Sequence, residues 1–179
     1  MTDNTIDHVR RVSRKYLVLF NVLLVGTPVA VLLYWVFFNS LPEGFHAELP
    51  VLPMSDLSGS QLILGALVSL LPLGVTLYGL VTLKALFRLY ADAVMFSIDN
   101  VKYFRRLGYI FIAWVIANTI FTPLISLVMT YSNPAGERTL VAQFGIVDLF
   151  TLIAGGVILV IAWVMNEGGK LKDEQEYTV

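Results

Sequence analysis

Four long apolar runs divide the chain, separated by shorter stretches that hold most of its charge. They cover Tyr16 to Phe38, Gln61 to Leu83, Leu107 to Met129 and Phe144 to Met165. An apolar helix of about 20 residues crosses a ~30 Å hydrocarbon core, and each run meets or slightly exceeds that length. Tyr16 near one end of the first run, with Tyr34 and Trp35 toward the other, suits the two membrane interfaces. The pattern predicts an all-α polytopic membrane protein, four transmembrane helices in an antiparallel bundle that forms one domain over residues 1–179. The first run is too long for a signal-peptide core of roughly 7–15 residues. Leu41, Pro42 and Glu43 follow it in place of a small-residue cleavage site, so it is expected to stay as a span.

The polar stretches carry further signals. Residues 39–60 hold no Lys or Arg but contain Pro42, Gly44, Pro50, Pro53 and Gly59, the composition of an irregular loop long enough to fold over the bundle mouth. Residues 130–143 include Ser132-Asn133-Pro134-Ala135-Gly136, a strong turn signal. Between the second and third runs, Ser97 reads as a helix N-cap with Asp99 in the first turn. Val101, Phe104 and Leu107 or Gly108 then share one face, while Lys102, Arg105 and Arg106 populate the other. This predicts a short amphipathic helix, about 97–107, running straight into the third span. Asn166-Glu167-Gly168-Gly169 reads as the end of the fourth helix. Beyond it, Leu171, Tyr177 and Val179 alternate as an extended partner-docking strand would use them.

Charge orients the chain. Of its 12 Lys and Arg residues, all but Arg138 fall before the first run, between the second and third, or after the fourth. That is the positive-inside pattern, and it predicts both termini in the cytoplasm. Hydrophobic residues make up 57% and charged residues 14%, against about 25% charged in soluble domains, which leaves no room for a separate soluble domain. Net charge is −1, which argues against direct nucleic-acid binding. The absence of cysteine excludes disulfides, thiolate metal sites and a cysteine nucleophile.

Candidate chemistry is sparse. Asp148 is the single acid inside a run, and an intramembrane carboxylate is by default a candidate for an ion or proton path. It also lies one turn into a helix from the N-terminal side, where the dipole and backbone N–H groups favour it structurally. Arg138 is its nearest conceivable basic partner. Asn21 and Asn118 sit at other depths and fit interhelical hydrogen bonds, worth about 0.6 kcal/mol each in membranes. Pro28, Pro72 and Pro123 fall near the middle of three runs and predict helix kinks, either shape-setting or hinges of a gate. Gly65 with Ser69, Ala113 with Ala117, and Gly155-Gly156 have the spacing of close helix contacts, within the chain or in a homo-oligomer. His46, near Glu43 and Glu48, admits an outer-loop pH sensor. No phosphate-binding glycine loop, zinc helix, nucleophile elbow or triad-like set occurs, so neither enzyme activity nor a cofactor is expected.

Two segments carry a family resemblance. Leu86-Phe87-Arg88-Leu89-Tyr90, then Phe96-Ser97 and Asn100-Val101-x-x-Phe104-Arg105-Arg106-Leu107-Gly108, with the acidic tail ending in Thr178-Val179, resemble the bacterial membrane proteins of domain of unknown function family 2975. Tyr177 stands where that family more usually has leucine, and the first outer loop is long for it. The resemblance implies a small four-span protein of the bacterial inner membrane with no established activity. It also implies a cytoplasmic partner, a small helix-turn-helix regulator. On that reading Lys102, Arg105 and Arg106, together with Tyr177 and Val179, form the contact surface, and the outer loops or the bundle core form the sensor. The alternatives are a small transporter or channel subunit built on Asp148, and a homo-oligomeric membrane scaffold.

Overall fold

A computed structural model describes residues 3–47, 49–94, 97–134 and 136–176. These form four long helices: α1 (Asp3–Val36), α2 (Gly59–Ala91), α3 (Ile98–Thr130) and α4 (Ile146–Glu176). Two 3₁₀ turns, Phe38–Ser40 and Glu43–His46, follow α1, and no strand occurs among the described residues. All four helices are long and apolar enough to cross a membrane. Each of the three prolines lies inside its helix without ending it. That suits a membrane interior, where neighbouring groups re-satisfy the backbone that proline frees.

The ends follow local chemistry. Ser58 caps α2 with a complete capping box: its Oγ accepts the Gln61 N–H, and its own N–H donates to Gln61 Oε1 at 3.1 Å. Ser97 caps α3, its Oγ accepting the Asn100 N–H at 3.3 Å, and the amphipathic turns and third span form one continuous helix. α2 closes with a Schellman motif, in which Val94 N–H reaches Leu89 O at 2.9 Å and Ala93 N–H reaches Tyr90 O at 3.1 Å. Ala93 sits at the left-handed position with φ 62°, where glycine is usual.

One expectation is corrected. α4 does not end at Asn166–Gly169 but continues to Glu176. Each glycine costs a helix about 1 kcal/mol. Here the pair is followed by good helix formers, and Lys170 bonds back across it to Glu167 at 2.9 Å. No extended strand therefore follows at 171–176, and Tyr177 and Val179 lie outside the described residues. The first helix likewise begins thirteen residues before Tyr16, so the polar N-terminal segment is helical too.

Packing follows chain order: α1 on α2, α2 on α3, α3 on α4, and among the described residues no comparable seam joins α1 to α4. Along the first seam Trp35 meets Gly65 and Ser69, Phe20 meets Phe87 at 5.3 Å between ring centroids, and Arg10 meets Ala91. Gly65 admits the Trp35 indole, which would overlap any Cβ there. On the third seam Gly108 and Gly155 face each other, a Cβ on either falling 3.0 Å from the other's carbonyl oxygen. Small residues that let backbones approach are the usual device where lipid removes the hydrophobic drive between helices. Trp35, Phe38, Leu57, Ile125 and Met129 form a buried cluster at the Lys/Arg-poor end. Phe38 and Leu57 come from the connection between α1 and α2, so that connection packs as part of the core. Asn39 ties it shut, its amide bonding both the N–H and the carbonyl of Leu57 at 3.0 Å.

Candidate functional site

The polar groups within the spans are mostly engaged by the backbone. Asp148 lies in the first turn of α4, and its Oδ2 accepts the Gly145 N–H at 2.8 Å, the return half of a capping box. Arg138 is turned elsewhere: it donates to Asn133 O at 3.4 Å and lies over the Tyr131 ring at 5.5 Å. Asn21 is exposed on α1, and Asn118 is half-buried on α3 with its carbonyl accepting the Thr122 hydroxyl. No hydrogen bond joins Asn21, Asn118 and Asp148 to one another among the described residues. Hydroxyls close to the prolines turn inward as well, Thr76 donating to Pro72 O at 2.9 Å and Ser126 to Pro123 O at 2.8 Å. A transport path needs several polar groups converging at the midplane. These side chains do not make one.

The other end of each helix is where charge collects. The first turns of α1, the last turns of α2, the first of α3 and the last of α4 carry all the Lys and Arg residues except Arg138. Arg10 Nε donates to Ala91 O at 3.3 Å, placing a cation on a terminal carbonyl of α2. The helix dipole favours a cation there. Arg10 also approaches Asp7 at 3.7 Å, and Arg11, Arg14 and Lys15 line a shallow cavity beside them. On α3, Lys102 pairs with Asp99 at 2.9 Å, Arg106 lies over the Tyr103 ring at 5.6 Å, and Arg105 is exposed. The opposite face, Val101, Leu107 and Gly108, is buried, as the spacing requires. The ion pairs among the described residues all join positions i and i+3 on one helix. Such exposed pairs contribute only about 0.2–0.5 kcal/mol each and hold no tertiary structure.

Three features escape a sequence reading. Gln61 is buried, and besides capping α2 it donates to Val128 O at 2.9 Å and accepts the Ser132 hydroxyl at 2.8 Å, locking α2 to the end of α3. Asn100 is fully buried at the elbow between α2 and α3; its Nδ2 donates to Val94 O at 3.2 Å, while Oδ1 has no hydrogen-bond partner among the described residues. His46 is buried rather than exposed on a loop, with Nδ1 3.1 Å from the Tyr34 hydroxyl and its ring 4.2 Å from Phe38. Glutamine three residues after a serine cap was the one available signal for Gln61. Nothing local marks the other two. No cluster of three or more metal-ligating side chains occurs among the described residues.

Comparison with known proteins gives one match. A family model described as a protein of unknown function, DUF2975, covers residues 13–179. No curated protein and no solved structure matches the chain.

Proposed function

Because the chain belongs to the DUF2975 family, whose description assigns no role, we propose on physical grounds that it is a non-enzymatic sensor or anchor of the bacterial inner membrane. Both termini face the cytoplasm, and the four spans run antiparallel in a row. The seam pairs Trp35 with Gly65, Phe20 with Phe87 and Arg10 with Ala91 support that direction for α1 and α2. The partner is a cytoplasmic protein such as a small helix-turn-helix regulator, and the chain itself does not touch nucleic acid.

The observation that carries this reading is where the helices stop. On the basic side all four continue as helix beyond the apolar runs, α1 back to Asp3 and α4 on to Glu176. Ten residues of helix reach about 15 Å, well beyond the headgroups. The result is a charged helical platform whose basic side chains, Arg10 apart, are bonded only locally. Lys102, Arg105 and Arg106 lie at its centre, at the root of α3. Within the spans, by contrast, Asp148 is occupied in capping, which favours anchoring over transport.

Capture of cytoplasmic proteins by the full-length membrane protein tests the proposal. Replacing Lys102, Arg105 and Arg106 together by Gln should abolish specific capture of a regulator while leaving folding and membrane insertion intact. Removing Asp173 to Val179 should weaken it. Capture unchanged by both variants would refute the platform as the working surface. Protease accessibility of the Asp3 and Glu176 ends from the cytoplasmic side checks the orientation separately.

A further inference from the structure

A groove runs along one face of the helix row, walled by α1, α2 and α3 and about 460 Å³ in volume. On α1 its lining extends from Thr27 to Trp35 and on α2 from Ser69 to Thr76, both sets repeating at spacing i, i+3, i+4, i+7. That spacing marks one stripe along each helix, so the groove is a slot parallel to the helix axes. A second cavity of about 300 Å³ continues it between α2, α3 and α4, as far as Gly79 and Thr151. Thr76 and Trp114 line both cavities, which makes them one channel. From Ser69 to Gly79 the channel extends about 15 Å along α2, half of a ~30 Å hydrocarbon core and so the depth of one leaflet.

The lining decides what fits. Ser69 donates its hydroxyl to Gly65 O at 2.9 Å and accepts the Trp35 indole N–H at 3.0 Å. Thr76 is spent on Pro72 O, and Thr151 donates to Val147 O at 2.7 Å. At the Lys/Arg-poor end Leu49 joins the lining, and the Tyr34 hydroxyl there is bonded to His46. Thr27 is the one hydroxyl in the lining with no such partner among the described residues, and a lone hydroxyl does not make an ion or solute path. The slot is apolar, axial, about 15 Å long, and set at hydrocarbon depth in a membrane protein. We propose that it binds one acyl chain of a membrane phospholipid, lying along the helix axes with Trp114 at its side. This site does not depend on the cytoplasmic role proposed above.

Tryptophan quenching tests it on the full-length chain in detergent. The probe is a phosphatidylcholine brominated at mid-chain, and the quenched residue is Trp114. Trp163, exposed on α4, reports bulk contact with lipid, and Trp35, which also lines the slot, accounts for the saturable quenching that remains without Trp114. The expected result is a saturable quenched component at one lipid per chain. It should be reduced in Trp114→Phe and lost altogether in Thr76→Phe, which fills the point where the cavities meet. Ala30→Phe, on the exposed side of the same slot, gives a second filling variant should Thr76→Phe fail to fold, as judged by helical circular dichroism and gel filtration. Quenching that rises without saturation and is alike in all variants would overturn the proposal. So would saturation by a brominated free fatty acid but not by the phospholipid, or a dimer in which a second copy shields Trp114.

Discussion

The two ends of this helix row are built on different principles. At the Lys/Arg-poor end, polar bonds span long stretches of sequence. Gln61 reaches Val128 and Ser132, Trp35 reaches Ser69, and Asn39 reaches Leu57. At the basic end the bonds are local: Ser97 with Asn100, Asp99 with Lys102, Glu167 with Lys170. Arg10 on Ala91 O is the exception. The first end is therefore fixed by tertiary structure and opens only when helices separate. The second can alter a turn or exchange an ion pair at the cost of one local interaction, which is the property regulatory elements draw on.

The contrast breaks most sharply at Gly65. Gly65→Leu places a side chain where the Trp35 indole lies and forces α1 from α2. The expected loss is about 3 kcal/mol, read as a lower thermal midpoint in detergent. Second comes Gln61→Leu, which keeps the volume but leaves the Ser58 N–H, the Ser132 hydroxyl and the Val128 carbonyl without their partner. At roughly 0.6 kcal/mol for each bond in a membrane, the loss should be about 2 kcal/mol. Should Gln61→Leu prove neutral, the claim that this end is fixed by cross-helix bonds fails. At the basic end, Ser97→Ala removes a single cap and should cost about 1 kcal/mol, with the extra hydrogen exchange confined to the first turns of α3. Protection lost equally over all four helices would mean that this end is not local after all.

The same division explains what could be read from the sequence. Span number, the Ser97 cap, the buried Val101–Leu107 stripe and the basic face opposite it all depend on periodicity or on neighbours within four residues. Those signals are written in the chain. Trp35 on Gly65 and Gly108 against Gly155 depend on which helices become neighbours, and apolar runs look alike in that respect. Gly155 was visible as a small residue, but its partner on α3 was not. Nothing near His46 in sequence reveals that Phe38 and Tyr34 fold over it. The extension of α4 was misjudged for a different reason. A Gly-Gly pair is a stop signal only when the residues after it cannot continue the helix, and Lys170 to Glu176 can.

The smallest expected effect, and the one of opposite sign, concerns Ala93. An L-residue in the left-handed region carries roughly 1–2 kcal/mol of steric cost that glycine avoids. Ala93 bears that cost at φ 62° in the motif that ends α2. Against the relief stands the wider freedom of glycine in the unfolded chain, about 0.4–1 kcal/mol. The balance for Ala93→Gly is a gain of about 0.5 kcal/mol, measurable as a slightly higher thermal midpoint. This makes the substitution diagnostic for the basic end. The elbow combines the strained Ala93 with buried Asn100, whose Nδ2 bonds Val94 O and whose Oδ1 has no partner among the described residues, two small costs close in sequence. If those costs keep the elbow ready to rearrange, Ala93→Gly should raise stability while slowing amide exchange at residues 92–94 and 97–100. A variant that gained stability with that exchange unchanged would place the responsive element elsewhere, leaving Arg10 on Ala91 O as the next contact to cut.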